Sequence, residues 1–220
     1  MDKDRWDKLA AAGGIVGVAL FVIAGIMYGS PPGVGDDAQS VVDFFADNRS
    51  ALLGAVFLQG LGVLAILWFV AALTHAMREA GEGRLAAAAL GSFLLAFSVG
   101  GSAALTRSAL AYSLADEGSD FVLPLYHLSV MFDVFANLLA AGLFVSVGAA
   151  ALRTGLFPRW WGWISALAGL WLIVSATAWA RDGFWSPTGG VVWIAYIAFL
   201  AWFLVTSILL VRRTGREATV

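Results

Sequence analysis

No cysteine occurs in these 220 residues, so disulfides, thiolate metal sites, iron–sulfur clusters and cysteine nucleophiles are excluded together. Histidine occurs twice, as His75 and His127, too few for an intramembrane metalloenzyme that relies on several imidazoles. The only lysines, Lys3 and Lys8, precede the first apolar stretch. A retinal-type Schiff base inside a helical bundle therefore has no amine to form on. Charged side chains make up 13% of the chain, against 60% hydrophobic residues, ten tryptophans and a mean hydropathy of +0.85. A water-soluble fold has nowhere to place so much apolar surface.

That surface is concentrated in six apolar runs: Leu9 to Tyr28, Ala51 to Leu73, Leu85 to Leu110, Pro124 to Leu152, Trp160 to Ala180 and Gly190 to Val211. Crossing about 30 Å of hydrocarbon takes roughly 20 mostly apolar residues in a helix. Each run meets that length, which predicts an all-α, polytopic membrane protein of one six-helix domain. Lipid is then an obligatory partner, and no nucleic-acid partner is expected. Lys3, Arg5, Lys8, Arg78, Arg84, Arg153, Arg159, Arg212, Arg213 and Arg216 fall at alternate ends of the runs. Because basic residues concentrate on the cytoplasmic side, this pattern predicts a cell-membrane protein with both termini cytoplasmic. The opposite side is acidic, with Asp36, Asp37, Asp43, Asp47, Asp116, Glu117, Asp120 and Asp182. The first run reads as a retained span; a cleaved signal followed by five spans is the rival.

The connections between runs are mostly short, which predicts three antiparallel hairpins. The exception is the outer segment from Ser30 to Ser50. Pro31, Pro32, Gly33 and Gly35 break the first helix, and Asp36 or Asp37 can cap a new one. Val41, Val42, Phe44 and Phe45 alternate there with Asp43, Asp47 and Arg49, so a short amphipathic helix is expected, either lying on the membrane or covering the mouth of the bundle. Trp160, Trp161 and Trp163 gather just after Pro158, where indoles fix helix depth at the inner headgroup level; Trp179 and Trp185 do the same outside. Gly13 with Gly17, and Gly142 with Ser146, have the spacing that lets helix backbones approach closely.

The acidic amphipathic segment Val41 to Ser50, the Ala/Leu-rich second run ending near Trp68, Phe69 and Val70, and the stretch Arg153 to Trp163 together resemble a group of uncharacterised bacterial six-span proteins. These are abundant in actinobacteria and carry only a domain-of-unknown-function label. The resemblance covers most of the chain and implies a multi-pass protein of a bacterial cytoplasmic membrane. It implies no activity and no site residue.

A charge at membrane depth costs a few kcal/mol or more unless it meets a partner or water. At 1.5 Å per residue, Arg107 lies about 9 Å below Ser113, Asp133 about 14 Å below Pro124 and Gln59 about 12 Å below Ala51, so all three share the outer half. Arg107 shares a helical stripe with the small residues Gly100, Ala103, Ala104 and Ala111. Asp133 lines up with Tyr126, Ser129, Val130, Ala136, Asn137 and Ala140. Both charges thus point into the bundle, which predicts an Arg107–Asp133 ion pair with Gln59, Tyr126 and Asn137 taking up the remaining hydrogen-bonding capacity. His127 lies near the same layer, offset round the helix. The cluster Gln59, Arg107, Tyr126, His127, Asp133 and Asn137 is either the floor of an outward-facing pocket for a small amphiphile or lipid, or a closed tie that sets helix register.

No catalytic constellation emerges. Ser129, His127 and Asp133 are neighbours on one helix and cannot converge on one reacting atom, and no nucleophile elbow is present. His75 and His127 belong to opposite faces of the membrane, so neither haem nor zinc is supported and no cofactor is expected. Three readings follow. The first is a non-enzymatic protein that binds or passes a small amphiphile, the second an accessory or assembly subunit with a membrane-protein partner or a second copy, and the third an intramembrane enzyme such as a lipid hydrolase.

Overall fold

The computed structural model describes residues 3–114 and 120–217, apart from the side chains of residues 3–5, 7, 114 and 214–217. Asp116 and Glu117 of the expected acidic outer face lie outside the described residues. Within the described chain every regular element is helical: α1 (Lys3–Tyr28), α2 (Ala38–Asp47), α3 (Arg49–Glu79), α4 (Gly83–Ala109) ending in a π-helical turn (Leu110–Leu114), α5 (Val122–Thr154), α6 (Arg159–Ser175) and α7 (Gly190–Glu217). Five of these, α1, α3, α4, α5 and α7, are long and apolar enough to cross a membrane.

The fifth run is where the expected span boundaries need correction. Its helix stops at Ser175 rather than Ala180 and has 17 residues, about 25 Å of length at 1.5 Å per residue. Hydroxyls end it: Ser175 donates to the Leu172 carbonyl at 2.9 Å and Thr177 to that of Val174 at 2.8 Å. Such side-chain bonds compete with the helical ladder. The chain then folds back, with the Trp185 indole donating to the Thr177 carbonyl at 3.1 Å. Conversely, the second helix outruns its expectation and continues to Glu79, because Ala76, Met77, Arg78 and Glu79 all favour helix. Only a tight turn then precedes α4.

The long helices and α6 close into a ring in which each packs along two neighbours, in the order α1, α3, α4, α5, α6, α7 and back to α1. Within the expected third hairpin, α6 and α7 touch less than any other neighbours in this ring, and α7 lies chiefly on α1. Glycine sets the closest approaches. A Cβ at Gly13 would collide with the backbone carbonyl of Ala65, and one at Gly148 would come within 2.8 Å of the Gly162 carbonyl oxygen. Alanine at either position would force α1 from α3 or α5 from α6.

The ring's centre is filled by side chains, differently in its two halves. In the half towards the α3–α4 turn, the inner half by the expected topology, Phe21 of α1, Phe69 of α3, Phe93 and Phe97 of α4, Phe144 of α5, and Phe199, Trp202 and Phe203 of α7 form one continuous aromatic stack of mostly edge-on and tilted rings. Two of its indole donors are matched, while that of Trp171, packed beside it, is buried without a partner among the described residues. Trp202 donates to Ser165 Oγ at 2.8 Å and Trp161 to Thr206 Oγ1 at 3.1 Å, as buried indoles require. In the opposite half, the outer half by the same expectation, α2 roofs the ring. Asp37 caps it by accepting from the Ser40 amide at 2.9 Å, and Val41 and Phe45 are fully buried against Leu52, Leu110, Val122 and Tyr126. Of the two expected placements for this helix, the structure shows the one over the mouth.

Candidate functional site

Between the aromatic stack and the α2 roof lies the charged layer. α4 and α5 run antiparallel, with Ser92 beside Gly142 and Gly100 beside Ala136, and the small stripe on α4 lets the helices approach closely enough for Arg107 to reach across. Its Nη2 donates to Asp133 Oδ2, so the expected ion pair is formed. The pair faces the ring's interior. The Arg107 guanidinium carbon lies 5.5 Å from the ring centroid of Tyr28 on α1, a helix that is not a ring neighbour of α4. Asp133 is within electrostatic reach of Tyr28 and of Tyr196 on α7. Tyr196 itself donates to the Phe21 carbonyl at 3.3 Å, holding α7 to α1 at this level.

The two charges are unequally accessible: the Arg107 side chain is 15% exposed and that of Asp133 40%. The guanidinium is spent inward on Asp133 and on the tyrosine face, where a desolvated cation–π contact contributes on the order of 2 kcal/mol. Its Nε is buried without a hydrogen-bond partner among the described residues, which costs about 1–3 kcal/mol.

The expected helpers are placed elsewhere. Tyr126 is buried but donates to the carbonyl of Pro32, and His127 Nε2 lies 3.1 Å from the Val34 carbonyl. Both residues strap the segment before α2 onto α5. Gln59 and Asn137 are half-buried and make no hydrogen bond to the pair. Tyr126 remains within electrostatic reach of Arg107. His127 instead lines a separate outer recess of about 410 Å³ with Asp36, Leu123, Met131, Trp179 and Arg181. That recess uses the face of α5 formed by residues 123, 127 and 131, which lie roughly 80° to 160° round the helix from Asp133 by helical phase.

Tyr28 and Tyr196 are the site residues that the sequence reading missed. Of the four tyrosines in the chain, Tyr28, Tyr126 and Tyr196 converge on this layer. Their shared depth was countable, but a tyrosine at the end of an apolar run is also what an interface anchor looks like. No group of three or more metal-ligating side chains occurs among the described residues. The fold is that of a helical, multi-pass membrane protein, with five helices long and apolar enough to cross and one ion pair held inside the ring beneath α2. Neither a family model, nor a curated protein, nor a solved structure matches the chain.

Proposed function

We propose that the protein is a non-enzymatic binder of small amphiphiles, holding the polar end of its ligand on Asp133 and the apolar body against the aromatic stack. The observation that carries this reading is the asymmetry of the ion pair. A carboxylate 40% accessible at membrane depth is an acceptor still able to take a hydrogen-bond donor, while its arginine is enclosed. The recognised chemistry is therefore a neutral or cationic donor such as a hydroxyl, amide or amine. A carboxylate or phosphate end would meet Asp133 as a like charge. Continuous aromatic packing inward favours binding over passage, because a solute crossing the ring would have to part Phe97, Phe199 and Phe203.

The topology belongs to the same proposal. With α6 and the folded loop after it counted as the sixth pass, the chain begins and ends on the basic side, and the basic ends of all runs lie in the cytoplasm of a bacterial cell. Dodecanol, dodecylamine and dodecanoate provide the test, titrated against the purified protein in nanodiscs by calorimetry. Dodecanol and dodecylamine are expected to bind at least about tenfold more tightly than dodecanoate. The double variant R107M/D133L, which removes both charges together and so leaves neither one orphaned, should abolish the difference. Equal affinities for the three probes, or a preference that survives the double variant, would overturn the reading.

A further inference from the structure

A second site lies at the opposite end of the ring. Where α5 ends, Gly155 takes a left-handed conformation with φ of 71°, and the turn through Leu156, Phe157 and Pro158 swings out to α6. Together with Ala80 after α3 and the last turns of α7, this bend borders a half-open cavity of about 740 Å³. Its walls are apolar: Leu156 and Phe157 are buried at 6% and 3% exposure. Its rim is basic. Leu209, Arg212 and Arg213 line it, and their i, i+3, i+4 spacing puts them on one face of α7. α6 begins beside it at Arg159, with the Trp161 amide closing its first turn on the Pro158 carbonyl at 2.9 Å. The indoles of Trp160 and Trp163, exposed at 54% and 63%, set the headgroup level there.

We infer that this cavity is a binding site for one anionic glycerophospholipid, with its phosphate on Arg212 and Arg213 and the start of an acyl chain along Leu156, Phe157 and Leu209. Charge complementarity selects the occupant. A guanidinium pair recognises phosphate through several directed N–H donors, and basic pockets between helices on the cytoplasmic side take anionic headgroups. The apolar walls favour a lipid over a free anion, since a soluble phosphate would leave the greater part of the cavity lined by side chains it cannot contact. Topology alone would ask for arginines at the inner boundary, but not for an apolar cavity between them and the α5–α6 turn.

Native mass spectrometry of the whole protein in mild detergent tests this, with dioleoyl phosphatidylglycerol and dioleoyl phosphatidylcholine as probes. One phosphatidylglycerol is expected to be retained at least about tenfold more tightly than phosphatidylcholine. R212Q/R213Q should bring the two lipids level. Leu209→Trp, which keeps both arginines and fills the cavity, should weaken phosphatidylglycerol similarly and covers the case in which the charge variant fails to fold. R84Q, on the same side but outside the cavity, should leave the preference intact, as should R107M/D133L, so failure here is separable from failure of the outer site. The inference is overturned by equal retention of the two lipids, by a preference that survives both cavity variants, or by a comparable loss in R84Q. Displacement of the lipid by inorganic phosphate would also overturn it, by showing an anion site rather than a lipid site.

Discussion

The two halves of the ring's interior solve the same packing problem with opposite materials. In the inner half, rings from α1, α3, α4, α5 and α7 interlock, Phe69, Phe144 and Phe203 are fully buried, and the indole donors of Trp161 and Trp202 find hydroxyls while that of Trp171 beside them stays unpaired. In the outer half the centre is held by one guanidinium, one carboxylate and the tyrosines around them, with a buried Nε left unpaired. Dispersion forces need only close contact, and many small gains add up. A buried ion pair must instead offset the desolvation of two charges, and breaks even only when every donor is satisfied. The inner half is therefore a structural plug, and the outer half retains polar capacity that packing does not require.

Breaking the outer half from one side should have the largest effect. Asp133→Ala strands a buried arginine and is expected to cost about 3–5 kcal/mol, read as reversible unfolding in mixed micelles. R107M/D133L should lie within about 1 kcal/mol of the parent or above it, because well-packed apolar residues often replace a buried ion pair without loss. A double variant as unstable as Asp133→Ala would show that the pair is needed for the fold itself, and the contrast between the halves would fail.

Phe203→Ala probes the inner half. It removes a ring that packs edge-on or tilted against Phe69, Phe97, Phe144, Phe199 and Trp202, and should cost about 3 kcal/mol through the cavity it leaves, by the same unfolding measurement. Probe binding at Asp133 should survive it if the plug and the site are separate units. Smaller effects belong to the roof. Tyr126→Phe deletes the bond to the Pro32 carbonyl, and about 1 kcal/mol of stability should go with it, together with faster amide exchange in α2.

Acid should loosen the same roof. The Ser40 amide and hydroxyl hold the Asp37 carboxyl below its ordinary value, so the capping contribution is complete above the unfolded-state pKa of about 3.9. It is lost as pH falls through the lower folded value. Protection of the Ser40 and Val41 amides against exchange, taken relative to the intrinsic rate at each pH and followed as pH falls below about 4, should drop before the ring itself unfolds. Simultaneous loosening of α2 and the ring would show that the roof has no independence.

Much of the fold was legible in the runs because an apolar stretch of about 20 residues has few alternatives once it must satisfy its own backbone in lipid. The end of the fifth run was not legible. Whether Ser175 and Thr177 continue a helix or donate to carbonyls three residues back is decided by their surroundings, and both states suit the composition. For the site, depth and phase were enough to bring Arg107 to Asp133, since sequential antiparallel helices leave few other partners at that level. They were not enough for Gln59, Asn137 and His127, whose side chains had several possible neighbours, nor for Tyr28 and Tyr196, which belong to helices far away in the chain.

Composition and spacing alone thus determined that this is a membrane-embedded helical protein, where its charged layer lies, and which two charges meet. Those are consequences of transfer free energy and of a fixed rise per residue. Only the tertiary structure decided that the helices close into a ring with α7 against α1, that α2 roofs it, that tyrosines complete the charged layer and that a basic cavity opens beside the α5–α6 turn. The reason is that these features depend on contacts between helices distant in the chain, which are set by the fit of surfaces such as Gly13 on Ala65 and which no periodicity encodes.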